Sequence, residues 1–202
     1  GVTGVIMDKD AIISHQPEDA FLYGITNMAT QTCDVVEECI KTNYYGAKRM
    51  VEELLPLLKS SDSPRIVNMS SIGGKFEYIP NEWAVGVLSD ADNLTEDKVD
   101  EVLNAFLKDF KEGLLEIKNW PKIMSSITLS NAATNAYTRI LAKKYPNFLI
   151  NAVYPGYVRT EATFNCGTSS VEEGAEGPVW LALLPKGGPS GKFFDGKELS
   201  PF

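Results

Sequence analysis

The stretch that decides the fold is Phe148-Leu-Ile-Asn-Ala-Val-Tyr154, which runs directly into Pro155-Gly-Tyr-Val-Arg-Thr160. A short, mostly apolar segment that ends at a Pro-Gly turn is typical of a buried strand. Upstream, apolar residues recur at helical spacing from about Thr128 to Lys144, and Pro146 follows them. These residues therefore predict a helix that leads into a buried strand, which is one repeat of a parallel α/β sheet.

The same alternation continues towards the amino terminus. Apolar spacing predicts a helix over Asp34–Leu58, and we expect Pro56 to kink or end it. Arg65–Ser70 is a short apolar run that predicts a second buried strand. The clearest helix lies over Thr95–Phe110, where Thr95 is suited to cap the first turn.

Two further elements are predicted towards the carboxyl terminus. Ser170-Val-Glu-Glu173 has the spacing of a capping box and should open a helix. Gly191-Lys-Phe-Phe194 should form a short last strand. Because only three strands are predicted, one strand would have an uncovered edge, which favours self-association through that edge.

Composition excludes several classes of function. The 202 residues carry a formal net charge of −8, which argues against nucleic acid or an anionic membrane as a partner. No apolar run is long enough for a membrane span. Cys33, Cys39 and Cys166 lack metal-site spacing and predict reduced thiols in the cytoplasm. His15 is the only histidine, which nearly excludes a Ser-His-Asp triad or a histidine metal site.

Four segments together resemble the short-chain dehydrogenase/reductase family, and in particular its plant monomeric carbonyl reductase branch. They are Asn43-Tyr-Tyr-Gly46, Arg65–Ser71, Asn135–Lys144 and Tyr154–Thr160. The resemblance implies an α/β fold, the C-terminal part of a Rossmann-type doubly wound parallel sheet. Residues 1–202 would form a single partial domain, and about residues 74–124 would form the helical insertion of that branch.

The resemblance also implies an activity: NADP(H)-dependent reduction of a ketone or enone in a small terpenoid-like or alkaloid-like molecule. The family holds the cofactor pyrophosphate with a TGxxxGxG loop, which this sequence lacks. The resemblance places Gly1 just after the family's Asn-Asn-Ala-Gly turn, so about 90 residues of three βα crossovers would precede it. We therefore expect this chain to bind the cofactor weakly.

Site residues follow from the same resemblance. Asn43 corresponds to the relay asparagine, although it could equally be a core residue that joins helix to strand. Ser71 corresponds to the serine that orients the carbonyl, and its alternative is a strand-end serine that satisfies backbone groups. A loop around the nicotinamide is implied by Pro155, Gly156, Val158 and Thr160, with an ordinary turn as the alternative.

Two further positions depart from the family pattern. Ile127 stands where the family has its proton-donating tyrosine, and Asn131 stands where it has the lysine that lowers the tyrosine pKa. Tyr137 lies ten residues further along the helix and is better explained as a core residue. Two hypotheses therefore stay open: an oxidoreductase, or a catalytically inactive truncated homologue. A replacement acid such as Glu or His at position 127 or 131 would favour the enzyme, and neither position carries one.

Overall fold

The computed structural model describes residues 1–7, 29–163 and 165–202, so His15 lies outside the described residues. Two short strands, β1 (Ile6–Met7) and β2 (Ala29–Thr30), pair antiparallel near the amino terminus. The main sheet has four strands in the order β3-β4-β5-β6. Their bounds are β3 Arg65–Met69, β4 Leu149–Tyr154, β5 Lys192–Asp195 and β6 Glu198–Ser200.

The three predicted strands are confirmed, and they are parallel to one another, with Ile66 beside Ile150 and Ala152 beside Phe193. The sheet is parallel over these three strands, as predicted, and a fourth strand that was not predicted, β6, runs antiparallel to β5. Sequence patterning missed β6 because it has only three residues and is mostly exposed. A tight turn with Gly196 at a φ of +57° joins the two strands.

One long helical region precedes β3, and it contains an irregular turn that the sequence pattern did not predict. It consists of α1 (Cys33–Ile40), a π-helical turn at Lys41–Tyr45 and α2 (Gly46–Lys59). Pro56 lies in the last turn of α2, which ends at Lys59, so the helix ends close to Pro56, as predicted. Pro56 and Glu52 are both exposed, so the Glu52 carbonyl that loses its helical partner can bond to water.

Residues 74–124 are largely helical. They contain α3 (Glu82–Ser89) and α4 (Glu96–Lys111), and the Thr95 side chain caps α4 by accepting from the Lys98 N–H, as predicted. Trp120 is 1% exposed and donates its indole N–H to Asp109 at 2.8 Å. This segment packs against α5 (Ser125–Lys144) through an apolar stripe made of Val99, Val102, Leu103 and Phe106.

The sheet separates two apolar layers. Ile66 and Ile150 face the layer that contains α5, while Val153 and Phe194 face Leu181 of α6 (Val171–Ala182). Ser170 and Glu173 form the predicted capping box at the start of α6. Across the described ranges, no strand pairs with the outer side of β3, and no helix is long and apolar enough to cross a membrane.

Candidate functional site

The candidate site lies where β3 and β4 end. Because these strands are parallel, their carboxyl ends meet at the same edge of the sheet, where α/β proteins bind ligands. Ser71 follows β3 and caps a 3₁₀ turn at Ile72–Gly74, with its Oγ accepting the Gly73 N–H at 3.3 Å. The loop that begins at Pro155 follows β4. The sheet thus brings Ser71 and residues 155–160 to one edge, as the resemblance implies.

Gly74 presses the Ser71 turn against the start of α5. A Cβ on Gly74 would stand 2.7 Å from the Asn131 Cβ and 2.9 Å from the Asn131 carbonyl carbon. The Asn135 side chain also donates to the Gly74 carbonyl at 3.2 Å. Only a glycine permits this close approach, and it places Asn131 directly beside the turn that carries Ser71.

The first two turns of α5 contain the two positions that depart from the family pattern. Ile127 is half-buried and Asn131 is 9% exposed. The neighbouring Ser125 and Ser126 are fully buried, and their hydroxyls donate to Gln31 Oε1 at 2.8 Å and to the Gly4 carbonyl at 3.3 Å. These bonds explain why α5 starts three residues earlier than predicted, and they turn both hydroxyls away from an acid role.

Asn43 fixes the amino-terminal segment to the helices. Its Oδ1 accepts the Val2 N–H at 2.8 Å, and its Nδ2 donates to the Val2 carbonyl at 2.9 Å. Nδ2 also lies 3.4 Å from Ser130 Oγ on α5 and 3.3 Å from Cys39 Sγ. Burial raises the pKa of the Cys39 thiol, which keeps it neutral in this cluster. Asn43 therefore joins three parts of the chain, and its relay role stays a prediction.

Replacing Asn43 with alanine is expected to loosen residues 1–7 selectively, because both backbone groups of Val2 lose their bond to the Asn43 amide and the Val2 carbonyl keeps only the weak bond from the Cys39 thiol at 3.5 Å. We expect amide hydrogen exchange in residues 3–7 to accelerate about tenfold, the equivalent of one or two ordinary hydrogen bonds. Thr42→Ala is the matched control, since the Thr42 hydroxyl donates to the Glu38 carboxylate at 2.8 Å and, among the described residues, shows no bond to residues 1–7. Equal exchange rates in the wild type and in Asn43→Ala would show that the two bonds to Val2 contribute nothing.

The loop after β4 is firmly held. Gly156 has a φ of +89°, a conformation that favours glycine. Val158 pairs with Ser169 in an isolated parallel bridge and packs on Gly174 of α6, where a Cβ would stand 2.3 Å from a Val158 methyl. The Thr160 N–H donates to Thr163 Oγ1 at 3.0 Å. These contacts fix the predicted nicotinamide loop in one conformation, although Val158 faces α6 and not the open edge.

Tyr137 is a core residue, as predicted. It is 2% exposed and meets Tyr44 edge to face with 6.1 Å between ring centroids. Burial, with a smaller contribution from the charge of Glu96, raises the pKa of Tyr137 well above its ordinary value. Tyr137 therefore cannot take over the proton-donating role that position 127 has lost.

The fold and this edge define a Rossmann-type α/β protein. No family model matches the chain. The whole chain is 52% identical to a (+)-neomenthol dehydrogenase of Arabidopsis thaliana and aligns with 68% of its length. Carbonyl reductase [NADPH] 1 of Mus musculus is 34% identical over 82% of this chain and 61% of its own length.

A solved structure agrees with this similarity. The salutaridine reductase of Papaver somniferum superposes with a TM-score of 0.91 and 45% identity, covering 96% of this chain and 69% of that protein. The chain belongs to the short-chain dehydrogenase/reductase family. The chain spans about two thirds of the length of the relatives that cover it fully.

Proposed function

We propose that this protein is an NADP(H)-dependent oxidoreductase that reduces a ketone or a conjugated enone in a small terpenoid-like or alkaloid-like molecule. The observation that carries the proposal is 52% identity over the whole chain to a neomenthol dehydrogenase. The geometry supports it, because Ser71 and the loop at residues 155–160 lie at the same edge of the sheet.

The loop after β4 fits one end of the cofactor. Pro155, Gly156 and Thr160 would hold the nicotinamide in this loop, whose shape depends on the positive φ of Gly156. Val158 would contribute backbone groups while its side chain stays against α6. Asn131 can offer the ribose a hydrogen bond but no charge. NADPH, when bound, supplies the hydride for the reduction.

The side chains of the site favour an enone over a ketone. Ser71 can donate a hydrogen bond to a carbonyl oxygen, but an unassisted serine hydroxyl does not give up its proton at neutral pH. Ile127 has no proton to give. Hydride addition to the β-carbon of an enone leaves an enolate, which hydrogen-bond donors stabilise and which takes a proton from water at its α-carbon. That route needs no tyrosine.

A second function stays in competition: a catalytically inactive homologue that binds a small molecule without reducing it. Ile127 and Asn131 favour this alternative, because the acid and the cation that tunes it are both missing from the first two turns of α5. A single positioned acid contributes about 10²–10⁴-fold to catalysis. Losing the acid alone would thus make ketone reduction very slow.

An NADPH oxidation assay separates the two functions. We expect the purified chain to oxidise NADPH with 2-cyclohexen-1-one, to yield cyclohexanone, and to be at least about tenfold slower with menthone. Ser71→Ala should reduce the enone rate by about tenfold or more. If neither substrate is converted at NADPH concentrations that saturate the chain, the protein is the catalytically inactive homologue.

We further propose a cytoplasmic location, a small-molecule partner, and no association with nucleic acid or membrane. The net charge of −8 supports the last point, and the separate thiols of Cys33 and Cys39 fit a reducing compartment. Self-association through the outer edge of β3 is part of this proposal, supported by the position of β3 at the end of the sheet in the part of the chain that the structure describes.

A further inference from the structure

Two hydroxyl groups border the space above Gly73. The position that a Cβ on Gly73 would take lies 3.8 Å from Ser71 Oγ and 3.8 Å from Thr128 Oγ1. Among the described residues, apart from the chain neighbours of Gly73 and the backbone of its own 3₁₀ turn, these two oxygens are the only heavy atoms within 4 Å of that point. Gly73 therefore leaves a small space whose walls are hydroxyl oxygens from the β3 turn and from α5.

Both hydroxyl protons are available to a ligand. Ser71 Oγ accepts from the Gly73 N–H, and within the described ranges its own proton has no protein acceptor. Thr128 differs from the other threonines of α5, because Thr134 and Thr138 donate to backbone carbonyls of their own helix at 2.9 and 2.8 Å. Thr128 is 7% exposed, and the structure shows no hydrogen bond for its hydroxyl among the residues it describes.

We propose that Ser71 and Thr128 together bind one carbonyl oxygen of the ligand above Gly73, which makes Thr128 a second ligand-binding hydroxyl of this site. The inference deepens the proposed function and rests on it for the identity of the ligand. Thr128 directly follows Ile127, so the helix that lacks the tyrosine still presents a donor to the same region.

The chemistry of the pair defines the ligand class. Two neutral O–H donors stabilise an oxygen that carries partial or developing negative charge, and they need no change of protonation to do so. The nearby positions 127 and 131 are both uncharged, so a carboxylate or phosphate would find no compensating cation there. The pair therefore selects an uncharged ketone or enone.

Infrared spectroscopy of bound 2-cyclohexen-1-one tests the proposal without cofactor or turnover. Hydrogen bonding lowers the carbonyl stretching frequency, so the wild-type chain should shift it below the value in an apolar solvent. Thr128→Val, which is nearly isosteric, should remove part of that shift and weaken binding by about three- to tenfold. Thr128→Ser should keep the shift, and a Thr128→Val/Ser71→Ala double variant should abolish it.

Gly73→Ala gives an independent test. Its new methyl group would make ordinary contacts with both oxygens, so the variant should fold normally while the methyl occupies the oxygen's place. We expect Gly73→Ala to bind 2-cyclohexen-1-one at least about tenfold more weakly than the wild type. Gly86→Ala is the control, since nothing lies within 4 Å of a Cβ there.

An unchanged carbonyl shift in Thr128→Val, or no shift in the wild type, would overturn the proposal. A normal shift with no NADPH oxidation would instead leave the pair in place and overturn the proposed reduction.

Discussion

Introducing tyrosine at position 127 and lysine at position 131 together is expected to raise NADPH-dependent reduction of menthone by about 10²-fold or more. The two positions are four residues apart on α5, so their side chains lie on the same face one turn apart. An ordinary tyrosine pKa is about 10, and the lysine charge lowers it towards the working pH. Ile127 is half-buried, so a tyrosine ring at this position would be partly exposed to solvent.

Two control variants isolate the chemistry from the packing. Ile127→Phe with Asn131→Lys supplies the ring and the charge without the phenolic proton, and it should stay near the wild-type rate. Ile127→Tyr alone should give a smaller gain than the pair, with its rate still rising at alkaline pH. A double variant that binds NADPH yet reduces menthone no faster than the phenylalanine control would show that the missing acid does not limit this site.

Gly74→Ala is expected to lower the free energy of unfolding by about 1–3 kcal/mol or more. The added methyl would lie 2.7 to 3.1 Å from the Cβ and carbonyl carbon of Asn131 and from the Ala132 nitrogen, and backbone atoms of a buried helix cannot easily move away. The turn that carries Ser71 must then separate from α5. Urea denaturation of Gly74→Ala and of the wild type at the same pH measures the effect.

Gly86→Ala is the matched control for this stability measurement. Gly86 is exposed on α3 with open space around it, so alanine there should stabilise the helix by about 0.5–1 kcal/mol. The same substitution is thus expected to lower the free energy of unfolding at position 74 and to raise it at position 86. A general effect of replacing glycine with alanine could not produce both changes. Equal stability changes at positions 74 and 86 would show that the Gly74 contact with α5 is not a tight one.

Much of the fold could be predicted from the sequence, because local signals agreed with the tertiary structure. The helix at Glu96–Lys111 has a threonine cap and an unbroken apolar stripe, and the helix at Val171–Ala182 has a capping box. The strands β3 and β4 are apolar runs between turn residues. In each case the same residues determine both the local conformation and the buried face.

The elements that sequence reasoning missed depend on contacts that no local pattern reveals. The π-helical turn at Lys41–Tyr45 coincides with the bonds from Asn43 to Val2 and to α5, which are distant in the sequence. The strand β6 exists because β5 provides an edge for it. The early start of α5 depends on acceptors supplied by Gln31 and Gly4.

The candidate site, too, could be predicted from the sequence only in part. The family resemblance identified Ser71 and the loop at residues 155–160, and the structure brings them to one edge of the sheet. The sequence shows Thr128 only as a hydroxyl next to position 127, and a threonine inside a helix usually bonds to its own backbone, as Thr134 and Thr138 do. Only the coordinates show that Thr128 and Ser71 border the same space above Gly73.

The central claim is that this chain still works with a nicotinamide cofactor, and fluorescence titration with NADPH tests it most directly. A full-length relative with tyrosine and lysine at the positions of Ile127 and Asn131 serves as the reference. We expect saturable binding with a dissociation constant below about 1 mM but weaker than that of the reference. The absence of saturable binding up to about 1 mM NADPH would contradict the claim and leave the chain an oxidoreductase by descent only.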